Sequence, residues 1–197
     1  MATKAERTKQ FILEKAAPIF NAKGIEGTNI DDVLAATKLT KGSIYSHFVN
    51  KEDLALQTTD YLLKKISTAT FQAISKGKTA REKIHAYLDF NKDPLNTYFE
   101  GGCPLFNSAV EADDNQAVVK QQVAGIFRNT KDTLTKVLVN GIRDGELSGA
   151  LDAASFAFKL FAAVEGATVM CRVMNDIKPM RDLIRNFKAE LDSYSIP

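Results

Sequence analysis

The stretch 28–54, TNIDDVLAATKLTKGSIYSHFVNKEDL, constrains this chain more than any other, because two short helical patterns meet there across a three-residue break. Thr28 or Asn29 can cap the first pattern, and Asp31 and Asp32 put negative charge in its first turn, where the helix dipole favours it. Ile30, Val33 and Leu34 fall on one face. Lys38, Leu39 and Thr40 interrupt the pattern, and Thr40 is a cap for a second helix over 41–48 with Leu39, Ile44 and Phe48 turned inward. Two helices of about two turns each, joined so tightly, make a helix-turn-helix.

The formal net charge of the 197-residue chain is only +2, so a basic footprint has to be local. Between Asp32 and Glu52 there is no acid, while Lys38, Lys41 and Lys51 stand with His47 and the hydroxyls of Thr40, Ser43, Tyr45 and Ser46. A DNA backbone laid along that face meets cations and donors and no repelling carboxylate. The competing interpretation is a solvated turn and a short packing helix; spacing, cap and acid gap together favour DNA.

The rest of the chain reads as helix. Over 3–23, Ile12, Ala16, Ile19 and Phe20 share a face beside Phe11, with a kink expected at Pro18 and an end at Gly24 and Gly27. Asn50 caps a long helix, with Glu52 as its capping-box partner and Leu54, Leu62, Leu63, Ile66 and Phe71 along it. Thr79 caps a helix carrying Ile84, Tyr87 and Leu88 toward Pro94, and Gly101 and Gly102 mark a turn before Cys103. Over 115–143, Val119, Val123, Ile126, Phe127, Leu134, Val137, Leu138 and Ile142 form a broad apolar stripe. Asp152 caps Ala153–Met174, which is apolar almost all round and so calls for burial on more than one side, a second copy supplying one of them. A last helix from Met180 to about Ser193, with Leu183, Ile184, Phe187 and Leu191 on one face, lies beside it, and two such hairpins form a four-helix interface. The expected fold is all-α, about nine helices: a three-helix helix-turn-helix domain over 1–49 and a helical ligand-binding and dimerisation bundle over 50–197.

With 45% hydrophobic residues the chain can bury a sizeable core without staples. Two cysteines, Cys103 and Cys171, and no secretory segment point to a reducing cytoplasm. Lys159, Glu165 and Arg172 interrupt the most apolar helix, which therefore falls short of the uninterrupted run expected of a membrane span.

The segment 40–54, TKGSIYSHFVNKEDL, resembles the helix-turn-helix of the tetracycline-repressor (TetR) family of bacterial transcriptional regulators, and Gly24 and Thr28 sit where that family joins its first two helices. The specific match covers the first quarter of the chain. The resemblance implies that Thr28, Ser43, Tyr45 and Lys51 touch phosphates and that Thr40, Lys41, Gly42, Ser46 and His47 lie on a recognition helix entering the major groove, with Ile44 and Phe48 in the core. Lys41 is then a candidate for guanine O6 and N7, and Gly42 allows close backbone approach. It further implies a homodimer, through Ala153–Met174 and the 180–193 helix, on a palindromic double-stranded operator, acting as a repressor released by a small-molecule effector.

A looser resemblance, GGCPLFNSAVEADD over 101–114, is similar to a segment of a TetR subgroup that includes repressors responding to electrophiles. Cys103, ahead of Pro104 at a helix start, is on that basis a candidate thiol sensor of electrophiles or oxidants, or else a small packed cysteine in a tight turn. Candidate ligand-binding residues are Cys103, Phe106, Asn107, Phe71, Phe90, Phe127, Phe161 and Glu165; Glu111 is a further polar residue in an apolar neighbourhood. The bland account of the aromatics is core packing. Two histidines, no His/Cys metal cluster, no phosphate loop and no nucleophile elbow leave catalysis, metal and cofactor without a candidate, and Glu111, Asp113 and Asp114 read as a solvated acidic face. The alternative outside gene regulation is a helical protein-interaction module that binds no DNA.

Overall fold

Thr3 opens the chain's first helix with a capping box: its hydroxyl accepts the Glu6 amide at 3.2 Å while the Glu6 carboxylate accepts the Thr3 amide at 2.7 Å. The computed structural model describes residues 3–196, and of Asp114 and Asn115 the backbone. Among the described residues nine helices follow one another: α1 (Lys4–Gly27), α2 (Ile30–Thr37), α3 (Lys41–Tyr45), α4 (Lys51–Ile74), α5 (Ala80–Phe90), α6 (Pro104–Asn115), α7 (Ala117–Arg143), α8 (Ala153–Met174) and α9 (Lys178–Asp192). Beyond helix, a single isolated antiparallel bridge, Leu147 to Ser195, is found among them. The chain is all-α.

Several caps fall where expected. Thr79 and Glu82 form a reciprocal box at α5, and Asp152 Oδ1 accepts the Ser155 amide at 3.0 Å to start α8. Three local expectations are corrected. The dihedrals of α1 stay helical through Pro18, and the break falls at Gly24 (φ 76°, ψ 175°), the residue that tolerates such a conformation. The partner of Asn50 is Asp53, whose amide donates to Asn50 Oδ1 at 2.8 Å and whose carboxylate accepts the Val49 amide at 2.9 Å; Glu52 takes no part. The recognition segment is helical only over Lys41–Tyr45, ending in a tighter turn where the His47 amide donates to Ile44 O at 3.0 Å.

The chain packs as two units, one of residues up to Ile66 with Tyr98–Val123, the other of Ser67–Thr97 with the residues from Ala124 on. In the first, Ile12, Ala16 and Phe20 of α1, Val33 of α2, Ile44 and Phe48 around α3, and Leu54 and Ala55 of α4 form one buried cluster. This is where Ile44 and Phe48 were expected. In the second, Ile84, Tyr87, Leu88, Leu134, Leu138 and Leu160 are fully buried.

Length and composition alone would let α8 cross a membrane, its three charges notwithstanding. It packs instead along α9: Phe156 and Phe187 meet edge to face at 5.8 Å, and Lys159 pairs with Glu190. That contact buries one side, including Phe156, Leu160, Val164 and Cys171. The opposite side keeps Phe158, Met170 and Val173 in the open.

Between α5 and α9, Arg81 Nη2 donates to Asp192 Oδ2 at 2.9 Å and Lys188 Nζ to Asp89 Oδ1 at 2.8 Å, with His85 Nε2 3.5 Å from Asp192 Oδ1. Burial pushes the His85 imidazole below its ordinary value; the Asp192 carboxylate opposes this, while Lys188 and Arg81 add to it. The folded chain therefore holds this proton less tightly than the unfolded chain. Its stabilising effect is complete above the ordinary imidazole value of about 6.5 and declines as pH falls through that value toward the folded one. Melting temperatures at pH 7.5 and 5.5 are expected to differ more for the wild type than for His85→Gln, and equal differences would show that His85 contributes nothing to the slope.

Candidate nucleic-acid interface

The turn between α2 and α3 is built by hydrogen bonds of its own residues. Lys38 adopts a left-handed conformation (φ 56°, ψ 26°) and its amide donates to Leu34 O at 2.8 Å. Thr37 Oγ1 donates to Val33 O at 2.8 Å and accepts the Leu39 amide at 3.3 Å, while Thr40 Oγ1 accepts the Ser43 amide at 3.2 Å. With Ile44 and Phe48 buried on the inner side, the rest of the segment is directed outward. Thr40, Lys41, Gly42 and Ser46 are exposed, and Ser43, Tyr45, His47 and Lys51 half-buried.

Gly42 carries information here. A Cβ added to it meets nothing within 4 Å, and its φ is an ordinary one. Neither packing nor backbone conformation of this chain requires a glycine, although glycine weakens a helix by about 0.5–1 kcal/mol relative to alanine.

The electrostatics agree with the acid gap. Two of the acids near its ends are engaged: Asp32 Oδ1 accepts Lys23 Nζ at 2.7 Å, and Asp53 accepts Gln57 Nε2 at 2.8 Å besides the Val49 amide, while Glu52, which bounds the gap, is exposed. These bonds hold both carboxyls below the usual carboxylate range, Asp32 chiefly through Lys23 and Asp53 chiefly through Gln57. A phosphate approaching α3 meets the lysines and hydroxyls of 38–51, a stretch that contains no acid.

Thr28 is placed differently from the expectation. It is fully buried, and its hydroxyl donates to Gly24 O at 2.6 Å, so its side chain shapes the α1–α2 joint and is not available to a phosphate.

The same joint takes two residues assigned to a ligand. Asn107 Nδ2 donates to Asn21 O (3.1 Å), Asn21 Oδ1 (3.2 Å) and Gly101 O (3.1 Å), so its amide is spent on α1 and the turn before α6. Asn21, itself buried, donates to Glu100 O at 2.6 Å and Gly102 O at 3.1 Å. Glu111 does not decorate a solvated face: its Oε1 accepts the amides of Ile25 (2.6 Å) and Glu26 (3.0 Å). Gly101 (φ 93°) presses against α1 so closely that a Cβ would lie 2.9 Å from Ala22 Cα. Of the residues that build this joint, sequence reasoning marked Gly24 and Gly101 as turns but missed Asn21 and the role of Glu111, because their partners lie some 80 positions away.

Of the remaining ligand candidates, Cys103 and Phe106 lie half-buried in the first unit, with Cys103 as the N-cap of α6 and Pro104 in its first turn. Neither cysteine is in a disulfide. Phe90, Phe127, Phe161 and Glu165 belong to the second unit, where Phe127 and Phe161 meet edge to face at 5.7 Å. Phe71, the other candidate of the aromatic set, is 61% exposed. A cavity of about 400 Å³ lies within the first unit, among Ile25, Lys51, Ala55, Leu56 and Val119; of the sequence candidates only Lys51 lines it.

Fold and interface together define a helical regulator that presents a short helix-turn-helix to DNA. Residues 12–58 match the family described as bacterial regulatory proteins, tetR family, and residues 80–187 match the tetracyclin repressor-like C-terminal domain. A TetR-family transcriptional regulator from Cytophaga hutchinsonii is 31% identical, covering 100% of this chain and 99% of its own, with a TM-score of 0.92. A TetR regulator from Chloroflexus aurantiacus is 30% identical over 98% of both chains, with a TM-score of 0.91. The HTH-type transcriptional regulator TtgR of Pseudomonas putida is 26% identical over 178 residues, 82% of this chain and 79% of that protein. The chain belongs to the TetR family of helix-turn-helix transcriptional regulators, which are not enzymes.

Proposed function

We propose that the chain is a cytoplasmic, effector-released repressor that reads a palindromic operator as a homodimer, with 1–49 as the DNA-reading domain and 50–197 as the effector-binding and dimerisation domain. The observation that carries this reading is the outward face of α3, where Lys41 and the uncrowded Gly42 stand free of any demand from the chain's own packing. Lys41 and Gly42 approach base edges, and Thr40, Ser43, Tyr45, Ser46, His47 and Lys51 supply the surrounding phosphate and base contacts. The exposed apolar side of α8 supports pairing of two copies through α8 and α9.

The effector is a small, largely apolar molecule contacting Phe90, Phe127 and Phe161, with Glu165 toward its polar end. It favours a conformation of low DNA affinity, and DNA reciprocally disfavours the effector.

Anisotropy titration of the DNA flanking the chain's own coding sequence, against a scrambled duplex and at rising salt, tests the reading. Sequence-preferring binding that weakens steeply with salt is expected, since released counterions drive it. Lys41→Ala is expected to weaken it by about 1–3 kcal/mol and Tyr45→Phe by less. Absence of any sequence preference at low salt refutes the proposal and leaves the protein-interaction module.

A further inference from the structure

We propose that Glu111 is a positioning residue for operator binding: its carboxylate, on α6, caps the break in α1 and so sets the direction in which the chain enters the helix-turn-helix. The proposal rests on DNA reading by α3.

Gly24 interrupts α1, and a helix that restarts after such a break leaves the first amides of the new turn without carbonyl partners. A nearby Ser, Thr, Asp or Asn side chain is the usual acceptor. Here it is Glu111 Oε1, 86 positions beyond Ile25 and 85 beyond Glu26, taking both amides at 2.6 and 3.0 Å. Bonds from amides to a carboxylate are stronger than neutral ones and demand a defined geometry. The fit is close: a Cβ on Gly24 would stand 3.0 Å from Glu111 Oε1 and 3.1 Å from Oε2, at a φ of +76°.

The contact is one of two rungs. Asn107 and Glu111 lie four apart on α6, and the residues they hold, Asn21 and Ile25, lie four apart on α1, so both pairs face each other one helical turn apart. The Asn107–Asn21 rung anchors the body of α1. The Glu111 rung holds its last turn, from which Thr28, tied back to Gly24 O at 2.6 Å, leads directly into α2. Packing alone does not need this arrangement: a hydrophobic pair would bury the same surface without prescribing a direction. Two charge-assisted bonds to the backbone prescribe one. Without them the segment samples several entry directions, of which a fraction matches the operator, and apparent affinity falls by that fraction.

The test uses the full chain, with amide hydrogen exchange and operator affinity measured on Glu111→Ala and Glu111→Gln. In Glu111→Ala, exchange at Ile25 and Glu26 is expected to accelerate while the buried Val33 and Ile44 amides keep wild-type protection, and operator affinity is expected to fall roughly ten- to a hundredfold. Glu111→Gln keeps an acceptor oxygen without the charge and is expected to lie between the two in both measurements. Operator affinity equal to wild type in Glu111→Ala overturns the proposal, as does unchanged exchange at Ile25 and Glu26. If Glu111→Ala fails to fold, Glu111→Gln decides: a severalfold loss of affinity supports the role and wild-type affinity removes it. Failure of DNA reading itself is recognised separately, because wild type then shows no sequence preference.

Discussion

Phe158→Glu and Met170→Glu, together, are expected to convert the proposed homodimer into a monomer and to abolish high-affinity operator binding. Phe158, Met170 and Val173 are 62%, 59% and 82% exposed on the side of α8 that faces away from α9, and Ala162 and Gly166 continue that stripe at helical spacing. Burying a Phe or Met side chain is worth about 1.5–3 kcal/mol, and in a two-fold interface each substitution is counted in both copies. Two substitutions in two copies remove four such side chains, roughly 6–12 kcal/mol at full burial, so the dimer is expected to weaken by about four or more orders of magnitude. Sedimentation velocity at micromolar concentration measures it. Operator affinity follows, because two recognition helices held in one molecule bind the second half-site intramolecularly and separate monomers do not. A double variant that still sediments as a dimer would exclude this face of α8 from the interface.

The second large effect separates stability from function at one residue. Gly42→Ala is expected to raise stability by up to about 0.5–1 kcal/mol, since α3 gains a better helix former and the new methyl group meets nothing within 4 Å. The same methyl group is expected to lower operator affinity, and Gly42→Leu to abolish sequence-preferring binding while the chain stays folded. Thermal melting and anisotropy on the same samples read the two signs. Retained operator affinity in Gly42→Leu would mean that this face of α3 does not approach DNA.

Features decided within four residues of chain were legible in the sequence. The bounds of α8, the Thr79 cap, the Thr40 cap and the burial of Ile44 and Phe48 all follow from side-chain type at helical spacing. The acid gap was equally plain, since it needs only the order of residues. Where local reading failed, the alternatives were near neighbours of similar chemistry: Asp53 and Glu52 are both acids within the first turn of α4, and the frame of the cap chose between them. Pro18 and Gly24 both disturb a helix; the backbone conformation that glycine alone tolerates decided the place.

The candidate site divides along the same line. The outward face of α3, proposed to read DNA, was legible as an accessible surface because it consists of contiguous residues whose inward partners are marked by their hydrophobicity. Asn107, Glu111 and Thr28 were misassigned because a polar side chain looks the same in sequence whether it meets solvent, ligand or backbone. Only packing of α6 on α1 brings Glu111 to the Ile25 and Glu26 amides, and only burial turns the Thr28 hydroxyl back on Gly24. The sequence by itself thus settled the all-helical class, most of the helix caps and the charge of the α3 surface, which depend on interactions a few residues in range. The tertiary structure decided what holds that surface in place, because hydrogen bonds spanning more than 80 residues form between groups that nothing in their local pattern pairs.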